Sequence, residues 1–154
     1  MVHAAAGTQA RHARSGTSGG LGTADRFRLA IEAGDHDAIR GLLARDVQVF
    51  GPVVPAPVQG IRAAGAALWA ALSRFDYIRY VGMLSGRVQE GDGGAGVETH
   101  VLRFRAAVGG NPIEGIDIIE LDDDGLISTL TVLFRPLDSV IGTSFVARQR
   151  RLRR

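Results

Sequence analysis

The chain has 154 residues, enough for one domain, and 45% apolar residues, enough for a real core. It has no cysteine, which excludes disulfides, thiol catalysis and cysteine metal sites, and no run of 18 apolar residues, which excludes a membrane-spanning helix. All 18 basic residues are Arg, so lysine Schiff-base chemistry is excluded too, and the net charge of +2 hides an uneven distribution. Residues 1–22 carry two Arg and residues 146–154 carry five (Arg148, Arg150, Arg151, Arg153, Arg154), with no acid in either stretch, leaving eleven Arg against sixteen acids in the body. The high pI therefore belongs to the ends. No basic stripe with interleaved aromatics marks the body, which argues against a nucleic-acid partner.

Residues 1–22, rich in Ala, Gly, Ser, Thr and Arg, read as a disordered tail without the apolar core of a secretory signal, and a cytoplasmic location follows as the default expectation. The domain spans 23–138, and 139–154 form an Arg-rich C-terminal tail. Thr23 or Asp25 caps a helix with Phe27, Ala30, Ile31 and Ala33 at helical spacing. Gly34 ends it, and Asp35 caps a short helix over Asp37 to Ala44. Val47 to Phe50 is a strand, and Gly51 to Gly60, with three prolines, is a loop. Ile61 to Arg74 is a third helix with Ala64, Leu68, Trp69 and Leu72 on one side. Four strand-like segments follow, 76–89, 96–108, 113–122 and 126–136, joined by glycine-rich or Asp-Gly turns. This order predicts an α+β fold: a cone-shaped roll of a curved antiparallel sheet, with three N-terminal helices enclosing an apolar pocket on one face.

Within the third of these strands, one face carries Ile113, Gly115, Asp117, Ile119 and Leu121. Asp117 is thus a carboxylate in a mostly apolar face, costly unless paired, hydrogen-bonded or protonated. The opposite face carries Ile116 and Ile118, which favours a homodimer through the outer sheet face. Alternation in the preceding strand groups His100, Leu102 and Phe104 on one face and Arg103 and Arg105 on the other. Glu98 shares the His100 face near its rim. Tyr77 and Tyr80 have opposite parity, so one of them can offer a hydroxyl to the pocket. Asp122-Asp123-Asp124-Gly125 is a hairpin turn, lacking the rest of a calcium loop, and the few candidate ligands exclude a metal site.

Three stretches carry a family resemblance. Asp25-Arg26-Phe27-Arg28-Leu29-Ala30-Ile31-Glu32-Ala33-Gly34-Asp35-His36-Asp37-Ala38-Ile39 is similar to a first helix followed by an A-G-D-x-D turn. Val47-Gln48-Val49-Phe50-Gly51-Pro52 with Gln59-Gly60-Ile61 is similar to a first strand, proline loop and third-helix start. Ile116-Asp117 through Asp124-Gly125-Leu126-Ile127 is similar to a final hairpin. Together they resemble the SnoaL-like and ketosteroid-isomerase-like branch of the nuclear transport factor 2-like superfamily, over about Ala24 to Leu137. That fold hosts isomerases, cyclases, epoxide hydrolases, dehydratases and non-catalytic binders.

The resemblance places Asp117 at the protonated-Asp position of the isomerase oxyanion hole, Phe27 where that hole has a tyrosine, and Gly51 where the general base stands. The epoxide-hydrolase acid–Arg–acid pattern is not met at His100, Glu98 and Val132. The last-strand acid of the cyclases falls in the apolar run Leu130 to Phe134.

The expected catalytic constellation is therefore His100 with Asp117, in a substrate pocket of Phe27, Phe50, Trp69, Leu72, Phe104, Val132 and Phe134. His100 would move a proton near neutral pH. Asp117 would stay neutral and donate to a developing oxyanion or, if the two touch, stay ionised and orient the imidazole. The expected function is cofactor-independent acid–base chemistry, as an isomerase, cyclase or dehydratase, on an apolar ring-containing ligand such as a polyketide, steroid or terpenoid. The alternative is a non-catalytic small-molecule-binding or dimerising module of the same fold.

Overall fold

A computed structural model describes residues 21–89 and 94–138. The expectations for residues 1–20, for the Arg-rich tail 139–154 and for part of the Gly91–Gly96 turn lie outside the described residues. Helix α1 spans Thr23–Ala33 and buries Ala24, Phe27, Ala30 and Ile31, the stripe that 3.6-residue spacing predicts. Gly34 closes it at φ 64°, where a side chain would be strained, and the N–H of Asp35 reaches back to Ala30 O at 2.9 Å. Asp35 then accepts from the Ala38 N–H at 3.0 Å and caps α2, His36–Gly41.

Helix α2 stops three residues before the expected end at Ala44. The chain instead enters β1, Leu43–Phe50, twice the expected length. Leu43, Ala44, Val47 and Val49 are all buried there, and Leu43 pairs with Ile127 of the last strand. Long-range burial overrides the helical propensity of Leu43 and Ala44. After a two-residue strand β2, Val58–Gln59, helix α3 runs Ile61–Leu72, two residues short of the expected Arg74.

The remaining strands are β3 (Tyr77–Val88), β4 (Val97–Val108), β5 (Asn111–Leu121) and β6 (Ile127–Arg135). They form the expected antiparallel meander within one curved, unclosed six-stranded sheet of order β2-β1-β6-β5-β4-β3. The single parallel pair is β1 with β6. One sheet face packs beneath the helices around Phe27, Val47, Leu102, Ile119, Ile127 and Leu130, all fully buried. Thr23 pins the start of α1 to the β5–β6 turn, its hydroxyl donating to Gly125 O at 2.6 Å. No helix among the described residues is long and apolar enough to cross a membrane.

Two local features shape the pocket. The β3–β4 register shifts between Tyr80 and Gly82, leaving Val81 as an extra, bulged residue. Before the bulge Ile78 and Tyr80 lie opposite the buried residues Ala106 and Phe104; beyond it Met83 and Ser85 lie opposite Leu102 and His100. Glu32 of α1 accepts the Tyr80 backbone N–H at 2.7 Å beside this bulge.

The second feature is Gly115, opposite both Phe104 and Phe134. A Cβ there would run into the Leu133 backbone carbonyl oxygen, and would sit 2.5 Å from Phe104 Cζ and 2.7 Å from Phe134 Cβ. The bare backbone is what lets the Phe104 ring lie across β5. Gly115→Ala should cost about 1–3 kcal/mol by overpacking, read as a lower urea midpoint at unchanged m-value; an unchanged midpoint would show that both the Phe104 ring and the Leu133 backbone of β6 give way without cost.

Candidate active site

Between the helices and the inner sheet face lies a cavity of about 230 Å3. Its wall is apolar, built from Phe27 and Ile31 of α1, Val49 of β1, Leu68 and Leu72 of α3, and Phe104, Leu130, Val132 and Phe134 of the sheet. Loop residues Gly51 to Val54, with Val53 and Val54 exposed, form part of its rim. Among the described residues, the only ionisable side chains in the wall are Asp117 and Tyr80, and they are bonded to each other: the Tyr80 hydroxyl donates to Asp117 Oδ2.

Strand geometry explains the meeting. Asp117 stands opposite Leu102 on β4 and Val132 on β6, so its carboxyl points into the cavity between two apolar neighbours. Tyr80, one strand further over, crosses β4 with its ring edge-on to Phe104, centroids 6.1 Å apart. Burial pushes the Asp117 pKa up to about 7, and the Tyr80 hydrogen bond opposes part of that rise. The Tyr80 phenol is held well above its usual value, first by burial, then by the charge of Asp117 and its hydrogen bond, and last by Glu32. The result is a carboxyl that changes protonation near neutrality, held by a phenol that stays protonated.

Five of the seven predicted pocket residues, Phe27, Leu72, Phe104, Val132 and Phe134, line this cavity with Asp117. Phe50 and Trp69 do not, and both expectations are corrected. In β1 the inward residues are Val47 and Val49, so Phe50 falls on the opposite face, across from Thr131 of β6. In α3 the pocket-facing positions are Ala67, Leu68, Ala71 and Leu72; Trp69 is rotated away, 40% exposed, and packs edge-on against His36.

His100 is on the predicted strand face but outside the cavity wall. It stands opposite Ile119, two residues along β5 from Asp117, a spacing of about 7 Å along the strand. Its Nδ1 lies 2.7 Å from Ser85 Oγ and its Nε2 3.1 Å from Glu98 Oε1. No hydrogen bond or ion pair joins it to Asp117 among the described residues. The partner of Asp117 is Tyr80, the inward member of the tyrosine pair; Tyr77 is 51% exposed. No group of three His, Cys, Asp or Glu side chains among the described residues could hold a metal ion.

The SnoaL-like domain family model matches residues 24–130, from the first turn of α1 into β6. The chain belongs to this family. It is a member of the SnoaL-like and ketosteroid-isomerase-like branch of the nuclear transport factor 2-like superfamily, in agreement with the sequence resemblance. An uncharacterized protein conserved in bacteria with a cystatin-like fold, from Silicibacter pomeroyi DSS-3, is 27% identical, with a TM-score of 0.67 over 84% of this chain and 85% of its own. A steroid delta-isomerase from Pseudomonas aeruginosa is also 27% identical, with a TM-score of 0.66 over 85% of this chain and 89% of its own. A nuclear transport factor 2-like protein of unknown function from Exiguobacterium sp. 255-15 shares the fold at 19% identity, with a TM-score of 0.54 over 72% of this chain and 96% of its own. No curated protein matches this SnoaL-like chain.

The raised pKa of Asp117 links folding to pH. A carboxyl whose folded pKa lies above its unfolded value, near 3.9, stabilises the fold fully only below that value; the contribution is lost as pH rises through about 7. Wild type should therefore lose on the order of a few kcal/mol between pH 4.5 and 8 relative to Asp117→Asn, which carries no titrating group. Urea melts of the two proteins across that range check it; parallel curves would mean that the carboxyl is solvated in the folded state.

Proposed function

We propose that this SnoaL-like protein is a small-molecule enzyme that moves a proton on an apolar, ring-containing carbonyl compound, without a cofactor. The observation that carries the reading is the Tyr80–Asp117 pair, among the described residues the only ionisable groups in the wall of an otherwise apolar cavity. A base poised near the working pH gives the best compromise between availability and strength, and Asp117 titrates at about 7. The ionised carboxylate removes a proton from the carbon beside the carbonyl, and the bond's electron pair moves onto the carbonyl oxygen as an enolate. Asp117, now protonated, returns that proton to a second carbon in an isomerisation. In a cyclisation it passes the proton to the alkoxide formed when the enolate attacks another carbonyl, and in a dehydration to a departing hydroxide. Tyr80 positions the carboxylate by donating to Oδ2. His100, held by Ser85 and Glu98 outside the wall, has no part in this reading.

The similarity to a steroid delta-isomerase supports the proton-transfer class. A second reading, a passive binder, draws support from Gly51 and Phe27: both line the cavity where the family resemblance places a base and a tyrosine, and neither carries a polar side chain. Deuterium exchange beside the carbonyl of 1-tetralone, followed by proton NMR, separates the two. Wild type should catalyse exchange with a rate rising through pH 7, and Asp117→Asn should slow it by about 10²–10⁴-fold. Tyr80→Phe removes the hydrogen bond that lowers the Asp117 pKa, so the rising limb should move to higher pH. Binding without exchange in wild type would select the passive binder.

We also infer that the protein is a homodimer through its outer sheet face. Leu84, Val101, Ile118, Thr131 and Phe50 lie in one cross-strand row on that face, with Ile116 and Leu133 in the next. Arg79, Arg103, Arg105 and Arg135 gather toward one end around Glu114, which pairs with Arg103 at 3.3 Å and Arg135 at 2.7 Å and leaves that end net positive, while Glu120 and the Asp122–Asp124 turn lie toward the other. A two-fold turn about the apolar centre sets the basic end of one copy against the acidic end of the next. Sedimentation should give a dimer for wild type and a folded monomer for Ile118→Asp; a monomeric wild type would remove the proposal.

A further inference from the structure

We infer that the substrate of this pocket is a compact ketone of one ring or two small fused rings, with about nine to eleven non-hydrogen atoms seated in the cavity, in preference to a four-ring steroid, which would project from the rim. This rests on the proton-transfer reading of the Tyr80–Asp117 pair. The steroid delta-isomerase among the similar structures makes the point a sharp one, since fold alone does not set pocket size.

The argument is volume. The enclosed space is about 230 Å3 and opens at the Gly51–Val54 rim, so it limits what can be seated beside Asp117 and leaves any longer ligand projecting past the exposed Val53 and Val54. An apolar cavity of about 150 Å3 holds one benzene, and drug-sized ligands occupy roughly 300–1,000 Å3. Scaling by volume gives about nine non-hydrogen atoms here, one ring with a short substituent or a small bicycle. Four inward phenyl rings, from Phe27, Phe75, Phe104 and Phe134, take the rest of the space. Two are fixed: Phe27 and Phe104 are fully buried in the core. Phe134 stands opposite Gly115 of β5, where an added Cβ would come within 2.7 Å of its own Cβ, so this part of the wall is closely packed. Phe75, just beyond the end of α3, is the ring whose removal lengthens the cavity at least cost to the sheet.

Polarity sets the orientation. The reactive end of the cavity is Asp117 with Tyr80; the remainder of the wall is side chains without hydrogen-bonding groups, so the far side of the ligand must be hydrocarbon. A second ketone or hydroxyl remote from the reacting carbonyl would be buried without a partner, which counts against a polyhydroxylated ring as well as against length.

The test is a size series bound to the full-length protein: cyclohex-2-enone, acetophenone, 1-tetralone and androst-4-ene-3,17-dione, with Kd from calorimetry, and tetralin as the hydrocarbon control. Wild type should bind 1-tetralone and acetophenone at least tenfold tighter than the steroid. Phe75→Ala should narrow that gap at least tenfold in the steroid's favour, and Leu72→Ala repeats the comparison if Phe75→Ala does not fold. A steroid bound as tightly as 1-tetralone by wild type overturns the size inference while leaving proton transfer intact. 1-Tetralone bound by wild type with no deuterium exchange beside its carbonyl overturns the proton-transfer reading while leaving the size limit intact. No binding by any of the five overturns both.

Discussion

The hydrogen bond between Tyr80 and Asp117 is the contact around which the pocket is arranged. A carboxyl at the centre of an apolar sheet face would otherwise be a plain loss of stability. Tyr80 offsets part of that cost while leaving Asp117 in the wall of the cavity. Much else in the neighbourhood brings the phenol into reach: the Val81 bulge beside it, Glu32 of α1 accepting its backbone N–H, and Phe104 supporting the edge of its ring. The pair is also balanced by chemistry, since burial raises the pKa of the carboxyl, the donated hydrogen bond lowers it, and the result lies near neutrality. That balance is a property of the burial on all sides, so it is distributed over the apolar wall as much as over the two polar residues.

The fold class could be read from the chain because its signals are local and periodic. Phe27, Ala30 and Ile31 recur at helical spacing, Gly34 and Asp35 mark one helix end and the next helix start, and β5 alternates cleanly around Asp117. What escaped depends on interactions distant in sequence. The end of α2 is decided by pairing of Leu43 with Ile127, far along the chain, not by the residues that follow Gly41. Trp69 is the bulkiest residue of α3 and draws the eye to itself, but the packed side of that helix is centred between Leu68 and Leu72. Phe50 was misplaced for a similar reason: Val47 and Val49 set the parity of β1, and a large aromatic beside them had to take the other face.

The site was legible as a face and not as a place on the face. Parity put Asp117 and His100 on the same side of the sheet, and they are on the same side; it carries no information about how far along the strands the helices reach. His100 belongs to the stretch of hairpin where Ser85 and Glu98 satisfy it. Tyr80 was one of two candidates that alternation separated without ranking, because ranking them requires knowing which face of β3 meets the helices. The cavity wall is also richer in residues from the Gly51–Val54 loop than any periodicity could suggest, since that segment has no repeating pattern.

The parallel pairing of β1 with β6 has a consequence for how the molecule comes into being. Val49, on the first strand of the domain, and Leu130 and Val132, on the last, form adjoining parts of one wall. A nascent chain must therefore expose the first half of that wall until nearly the whole domain has been made. Helices α1 and α3 can form early from local contacts, but nothing closes beneath them until β6 slots in beside β1. The cavity is thus the last part of the molecule to exist, and any molecule that filled it would hold together the two ends of the domain.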